Sequence, residues 1–134
     1  ANRLYDFGIY LGLAFQLKDD LLDVYGNPAV FGKNIGGDIL CNKKTYLLIK
    51  AFEQANPRQL QALNTWVDAE TYIPQEKIAA VTALYNEIGV KAQCEALMAD
   101  YTNRARLALH EVNVPDERRQ ALEVLMEKLM YREV

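Results

Sequence analysis

Three aspartates lie close together in the stretch FQLKDDLLDVYGNPAVFGKNIGGDI, residues 15–39: Asp19, Asp20 and Asp23, followed by a glycine-rich loop that carries Lys33 and Asp38. If the stretch begins as a helix, advancing about 100° per residue, then Gln16, Asp19, Asp20 and Asp23 fall within an arc of roughly 100°. Leu13, Leu17, Leu21 and Val24 flank that arc on one side, Phe15 and Leu22 on the other, and Lys18 points backward. A solvated helix face ordinarily mixes both signs of charge, because like charges four residues apart repel. If the flanks are buried, this seam has to open on water, on a cavity or on cations, since several close carboxylates cannot ionise together in a dry core. Magnesium suits such a seam: a hard cation prefers oxygen ligands, keeps several waters, and bridges one or two carboxylates to a phosphate group. Taken alone, the DDxxD spacing also fits a plain solvated face.

The residues that follow shift the balance. Lys33 sits ten residues beyond Asp23 in the loop, Asp38 lies at its far side, and Lys43 and Lys44 are expected in the first turn of the next helix. A lysine is a compact positive charge suited to gripping phosphate oxygens. The glycines of FGKNIGGD let backbone N–H groups approach such a ligand, and a helix N-terminus favours negative charge. Carboxylate seam, lysine loop and lysine-bearing helix start together describe a magnesium diphosphate site.

Helices must position these groups, and helices are all that the periodicity shows. A long helix is expected from Ala1 to about Tyr25, ended by YGNP, then an irregular segment to about Leu40. Asn42 is expected to cap a helix running to about Ala55, Pro57 and Pro74 to open two more, and Gly89 to stop the second of these. Ile78, Val81, Leu84, Tyr85 and Ile88 form the apolar stripe of the helix after Pro74. A longer helix from Val90 to about Val114 is rich in small residues, among them Ala92, Ala96, Ala99, Ala105 and Ala108, which suits close packing. Pro115 opens the last helix, with Leu122, Leu125, Met126 and Leu129 on its apolar side. The fold class is therefore all-α, with about six helices in a single unit over residues 1–134.

Composition agrees. The 134 residues are 51% hydrophobic and 25% charged, a globular balance with no apolar run long enough to span a membrane. The net charge of −3, without a basic stripe, argues against nucleic acid as a partner. Cys41 and Cys94 belong to no metal or CxxC spacing and read as apolar residues in a reducing, cytoplasmic setting. His110, the single histidine, lies in a helical run and is assigned no role.

The stretch GLAFQLKDDLLDVYGNPAVFGKNIGGDILCNKKTYLLI resembles the second aspartate-rich region of trans-isoprenyl diphosphate synthases, the group that includes farnesyl and geranylgeranyl diphosphate synthases. The likeness covers the FQ pair, DDxxD, the GK loop, GxD and NK. It implies the C-terminal helices of the isoprenoid synthase bundle, and a transferase that condenses an allylic diphosphate with isopentenyl diphosphate using Mg²⁺, with Mn²⁺ as a possible substitute. Carried over position by position, Asp19 is the principal magnesium ligand, with Asp20 and Asp23 coordinating the metal or holding its water. Gln16 orients the seam. Lys33 and Lys43 contact the allylic diphosphate, and Asp38 positions the loop or its lysine. Lys44 has no consistent counterpart and reads as a solvated lysine. Arg132 resembles a basic residue that closes over the isopentenyl diphosphate side, its other reading being a helix-end charge. Family members are usually homodimers.

The departures from the family pattern are as informative. The first aspartate-rich motif, the isopentenyl diphosphate site and the bulky residues that set product length have no counterpart among these residues. With a non-methionine start inside a helix, the expectation is the C-terminal part of a longer synthase, inactive in isolation, with helix faces left open to self-association. A non-catalytic helical subunit or interaction module of a heteromeric synthase is the alternative. Such a subunit would be expected to have lost the three aspartates.

Overall fold

The computed structural model describes residues 3–27 and 35–131. Among them are seven helices and no strand: α1 (Arg3–Tyr25), α2 (Gly37–Leu40), α3 (Tyr46–Gln54), α4 (Pro57–Asp68), α5 (Pro74–Ile88), α6 (Val90–His110) and α7 (Asp116–Tyr131). The all-α reading holds, with one short helix, α2, beyond the six expected. The chain divides into two compact units, one within Ala1–Asp19 and Glu95–Val134, the other within Asp20–Cys94.

In the unit Asp20–Cys94, α2, α3 and α4 all pack on α5. Leu47, Ala51, Leu63, Val81, Leu84 and Tyr85 are buried there. Each fully buried leucine contributes about 1.5–3 kcal/mol relative to an exposed one. The helix ends follow local chemistry. The Asn56 side chain and the Gln59 side chain satisfy each other's backbone donors in a capping box before α4, and Pro57 occupies its first position. Gly89, with φ 89°, stops α5.

The other unit has its core at Phe7, Ala14, Ala105, Ala108, Leu109, Met126 and Met130. Tyr10 of α1 stacks on Tyr101 of α6, with ring centroids 6.2 Å apart. The alanines of α6 do not act uniformly as expected: Ala105 and Ala108 are buried, whereas Ala92, Ala96 and Ala99 are exposed. Lys18, on the rear of α1, donates to the carbonyl of Leu129 at 2.7 Å, satisfying one of the carbonyls that the last turn of α7 leaves without a helical donor. Leu4, Tyr5, Ile9, Leu13 and Phe15 of α1 are exposed. His110 is also exposed and pairs with Glu123 at 3.1 Å, in keeping with a surface residue.

Two boundaries differ from expectation for one physical reason. Asn42 does not cap α3; that helix begins at Tyr46, and Thr45 accepts the Leu48 N–H at 3.2 Å. Lys43 and Lys44 therefore precede the helix instead of forming its first turn. Asn42 has φ 56°, the left-handed conformation common just past a helix end, whereas Thr45, which caps α3, is extended. It closes α2, the helical turn within the segment expected to be irregular.

Candidate functional site

The last turns of α1 place the aspartates unequally. Asp19 and Gln16 are exposed, while Asp20 and Asp23 are buried at 6% and 8% exposure. The flank of Leu17, Leu21 and Val24 is buried as expected, but Phe15 on the other flank is 46% exposed. The seam is thus covered at Asp20 and Asp23 and open at Asp19.

Backbone donors stabilise the two covered carboxylates. The N–H of Asp38 donates to Asp23 Oδ2 at 2.8 Å, and the N–H of Gly36 donates to the Asp23 carbonyl at 2.6 Å. Asp23 therefore ties the end of α1 to the start of α2 through both its side chain and its backbone. A hydrogen bond to a charged acceptor contributes about 1.5–3 kcal/mol, which offsets part of the cost of burying the carboxylate. Gly36 makes the connection possible: its φ is 95°, and a Cβ there would lie 2.6 Å from Cδ1 of Ile78. Asp20 Oδ2 receives a longer contact, 3.4 Å, from the N–H of Tyr46 at the start of α3.

Asp38 and Lys43 come together through the turn that ends α2. The N–H of Asn42 donates to the Ile39 carbonyl at 3.2 Å and that of Lys43 to the Asp38 carbonyl at 2.9 Å, the paired bonds of a Schellman motif with Asn42 at its left-handed position. That motif sets the residue after the left-handed one beside the third residue from the helix end. Lys43 Nζ accordingly lies 3.9 Å from Asp38 Oδ2, with the lysine half exposed. Lys44 is exposed. Lys33 and Arg132 lie outside the described residues.

Behind these groups stands Tyr85, buried at 2% exposure. Burial pushes its phenol well above the ordinary tyrosine range, and the electrostatic influence of Tyr25, Asp38 and Asp20 pushes the same way, against the hydrogen bond with Thr45. It stays a neutral hydroxyl at ordinary pH. Sequence reasoning placed Tyr85 in the core without seeing the carboxylates near it. Thr45 was missed as the cap of α3, although a threonine directly before an apolar helical run is the usual signal.

Among the described residues, no three or more His, Cys, Asp or Glu side chains gather into a group that could hold a metal alone. The donor set nevertheless suits magnesium, which needs only one or two carboxylates when waters and phosphate oxygens complete its shell. Asp19 offers an exposed carboxylate, Gln16 one turn before it an amide oxygen, and Asp23 a carboxylate with one oxygen engaged by the Asp38 N–H.

Comparison with known proteins bears on this arrangement. A family model described as polyprenyl synthetase matches residues 1–88. The farnesyl pyrophosphate synthase of Rattus norvegicus is 35% identical over 107 residues, covering 78% of this chain and 29% of the relative. A short chain isoprenyl diphosphate synthase of Methanothermobacter thermautotrophicus is 29% identical over 130 residues, 97% of this chain and 39% of the relative. The crystal structure of a geranylgeranyl pyrophosphate synthase from Corynebacterium glutamicum, complexed with isoprenyl diphosphate and magnesium, superposes with a TM-score of 0.86 at 34% identity, covering 97% of this chain and 37% of that one. The chain thus spans well under half the length of the proteins it matches.

Proposed function

This chain belongs to the polyprenyl synthetase family, and we propose that it supplies one wall of a prenyl-chain-elongating site, where an allylic diphosphate is ionised and condensed with isopentenyl diphosphate. The observation that carries this reading is the division of labour on α1. Asp19 presents an open carboxylate, while the covered Asp20 and Asp23 hold the starts of α3 and α2, between which the Asp38–Lys43 pair lies.

In this reading Asp19 would be the principal magnesium ligand, with Asp20 and Asp23 coordinating the metal or holding its water. When bound, magnesium would neutralise the diphosphate and stabilise it as a leaving group. Lys43 and Lys33 contact the diphosphate oxygens, and the Asp38 carboxylate restrains Lys43 between turnovers. Gln16 orients the seam, and Arg132 closes over the isopentenyl diphosphate. The allylic C–O bond breaks with its electron pair on the diphosphate. The double bond of isopentenyl diphosphate attacks the cation, and loss of a proton restores an alkene. The magnesium-bound relative supports the choice of metal, with Mn²⁺ as a substitute. A cytoplasmic homodimer is the proposed setting; no described helix is long and apolar enough to cross a membrane.

The test is incorporation of radiolabelled isopentenyl diphosphate by the gene's full product, with dimethylallyl, geranyl and farnesyl diphosphates in turn as the allylic substrate and Mg²⁺ present. Asp19→Ala should lower turnover by about 100-fold or more, the scale of losing a group that stabilises developing charge. Unchanged turnover would refute the assignment.

A further inference from the structure

Lys77 is the most deeply covered charge among the described residues, at 1% exposure on α5, and no part of the proposed chemistry uses it. Its position follows helical register: it stands four residues before Val81 on the buried stripe that continues through Leu84 and Tyr85. A lysine is rarely covered without a reason, because removing an ammonium from water is costly. Burial holds this one below its ordinary pKa, with Cys41 pulling the other way.

Its contacts all lead to one turn. Lys77 Nζ donates to Asn42 Oδ1 at 2.7 Å and lies 4.5 Å from the ring centroid of Tyr72. Asn42 in turn donates through Nδ2 to the Val67 carbonyl at 3.1 Å. Tyr72 donates through its hydroxyl to the Leu40 carbonyl at 3.2 Å. Both sides of the left-handed turn at Asn42 are therefore held, from α4 and α5 and from the segment that joins them. Asn42 is also the one non-glycine residue with positive φ among the described residues. The left-handed conformation disfavours side chains, and Asn42 is kept in it by two side-chain bonds.

We propose that Lys77 is a positioning residue for the diphosphate site: by anchoring Asn42 in its left-handed turn, it sets Lys43 beside Asp38. This rests on the reading of Lys43 as a diphosphate contact and adds the device that orients it. The next residue after Asn42 is Lys43, whose N–H closes the Schellman turn on Asp38 and whose carbonyl accepts the Thr45 N–H at 2.8 Å. Loss of the turn at Asn42 removes the geometry that pairs Lys43 with Asp38. Lys77 itself is covered by protein and makes its contacts there, so it acts through Asn42 and not on the ligand.

The test measures binding of inorganic diphosphate with Mg²⁺ to the gene's full product by calorimetry, together with amide exchange at Asn42 and Lys43. Lys43→Ala reports the underlying reading. Lys77→Met and Asn42→Ala report the inference, and each should weaken binding by about 10-fold, the usual scale for residues that orient a ligand. Both should also speed exchange at the Lys43 amide. Asn42→Gly keeps the left-handed turn without its side chain, so it should retain most of the affinity and make a second Lys77→Met change nearly silent. Should Lys77→Met fail to fold, the partly exposed Asn42 still carries the comparison through its Ala and Gly variants. If Lys43→Ala weakens binding while Lys77→Met and Asn42→Ala leave affinity and exchange at wild-type values, the inference is overturned and the diphosphate reading stands. If Lys43→Ala has no effect, or the wild-type product binds no diphosphate, both fall together.

Discussion

Asp23 and Asp38, fifteen residues apart, meet through a backbone bond: the Asp38 N–H donates to the Asp23 carboxylate at 2.8 Å. The third aspartate of the DDxxD seam is thus a structural acceptor as well as a candidate ligand, and substitution separates the two roles. Asn retains a carbonyl acceptor and loses the charge, whereas Ala loses both. Asp23→Ala should cost about 1.5–3 kcal/mol in urea unfolding, and Asp23→Asn distinctly less. Both should weaken Mg²⁺-dependent diphosphate binding. Equal destabilisation by the two variants would count against the anchoring role.

Gly36 is expected to tolerate no side chain. At φ 95° an alanine is strained, and its Cβ would meet three atoms of Ile78, the nearest at 2.6 Å. Gly36→Ala should destabilise by about 1–3 kcal/mol. Ile78→Ala in the same chain should recover only part of the loss, because it removes the clash and leaves the strained φ. Full recovery, read from thermal melting of the pair, would assign the whole effect to packing.

Tyr85 should set part of the alkaline limit of stability. Its phenol titrates higher in the folded chain than the ordinary value of 10.0, so the folded state holds the proton more tightly than the unfolded state does. The stabilisation this gives is fully present below about pH 10 and is lost as pH rises beyond it. Tyr85→Phe should cost about 0.5–1.5 kcal/mol at pH 7 through the lost bond with Thr45. Its stability should fall less steeply than wild type between about pH 10 and 11. Lys18 and Lys77, whose folded values are lowered by burial, act in the opposite sense in both proteins and cancel in the comparison. Parallel curves would remove Tyr85 from the alkaline limit.

Lys18 and Leu129 offer a separate test in the other unit. Lys18→Met keeps the apolar stem and removes the donor to the Leu129 carbonyl, leaving a terminal carbonyl of α7 without that bond. The expected cost is about 1–3 kcal/mol. Amide exchange should accelerate selectively in the last turn of α7. Exchange that accelerates evenly over the unit would point to a packing defect instead of a lost cap.

Much of this was legible in the residues themselves. The rotation of about 100° per residue puts Gln16, Asp19, Asp20 and Asp23 on one face of α1 wherever that helix is placed. Pro57, Pro74 and Gly89 punctuate the chain by restricting or freeing single backbone angles, and they stand where the helices start and stop. The all-α class follows from the same local periodicity. The family resemblance singled out the DDxxD seam, the glycine-rich loop and the NK pair, although two of its residues, Lys33 and Arg132, lie outside the described part of the chain.

Partners across the fold decided the rest. Helical period alone treats Asp19 and Asp20 as equals, yet one is exposed and the other covered, because exposure depends on what packs against each side of α1. Asn42 has the composition of a helix cap, but its bonds to Lys77 and Val67 hold it in the conformation that ends a helix, which moves Lys43 out of α3 and onto Asp38. Lys77 shares the register of a buried stripe, and only the facing Asn42 and Tyr72 make burying its charge tolerable. Sequence by itself determined which groups share a helix face, since that depends on local rotation. The tertiary structure decided which of them reach solvent and which hold the backbone, since desolvation and hydrogen bonding depend on residues distant along the chain.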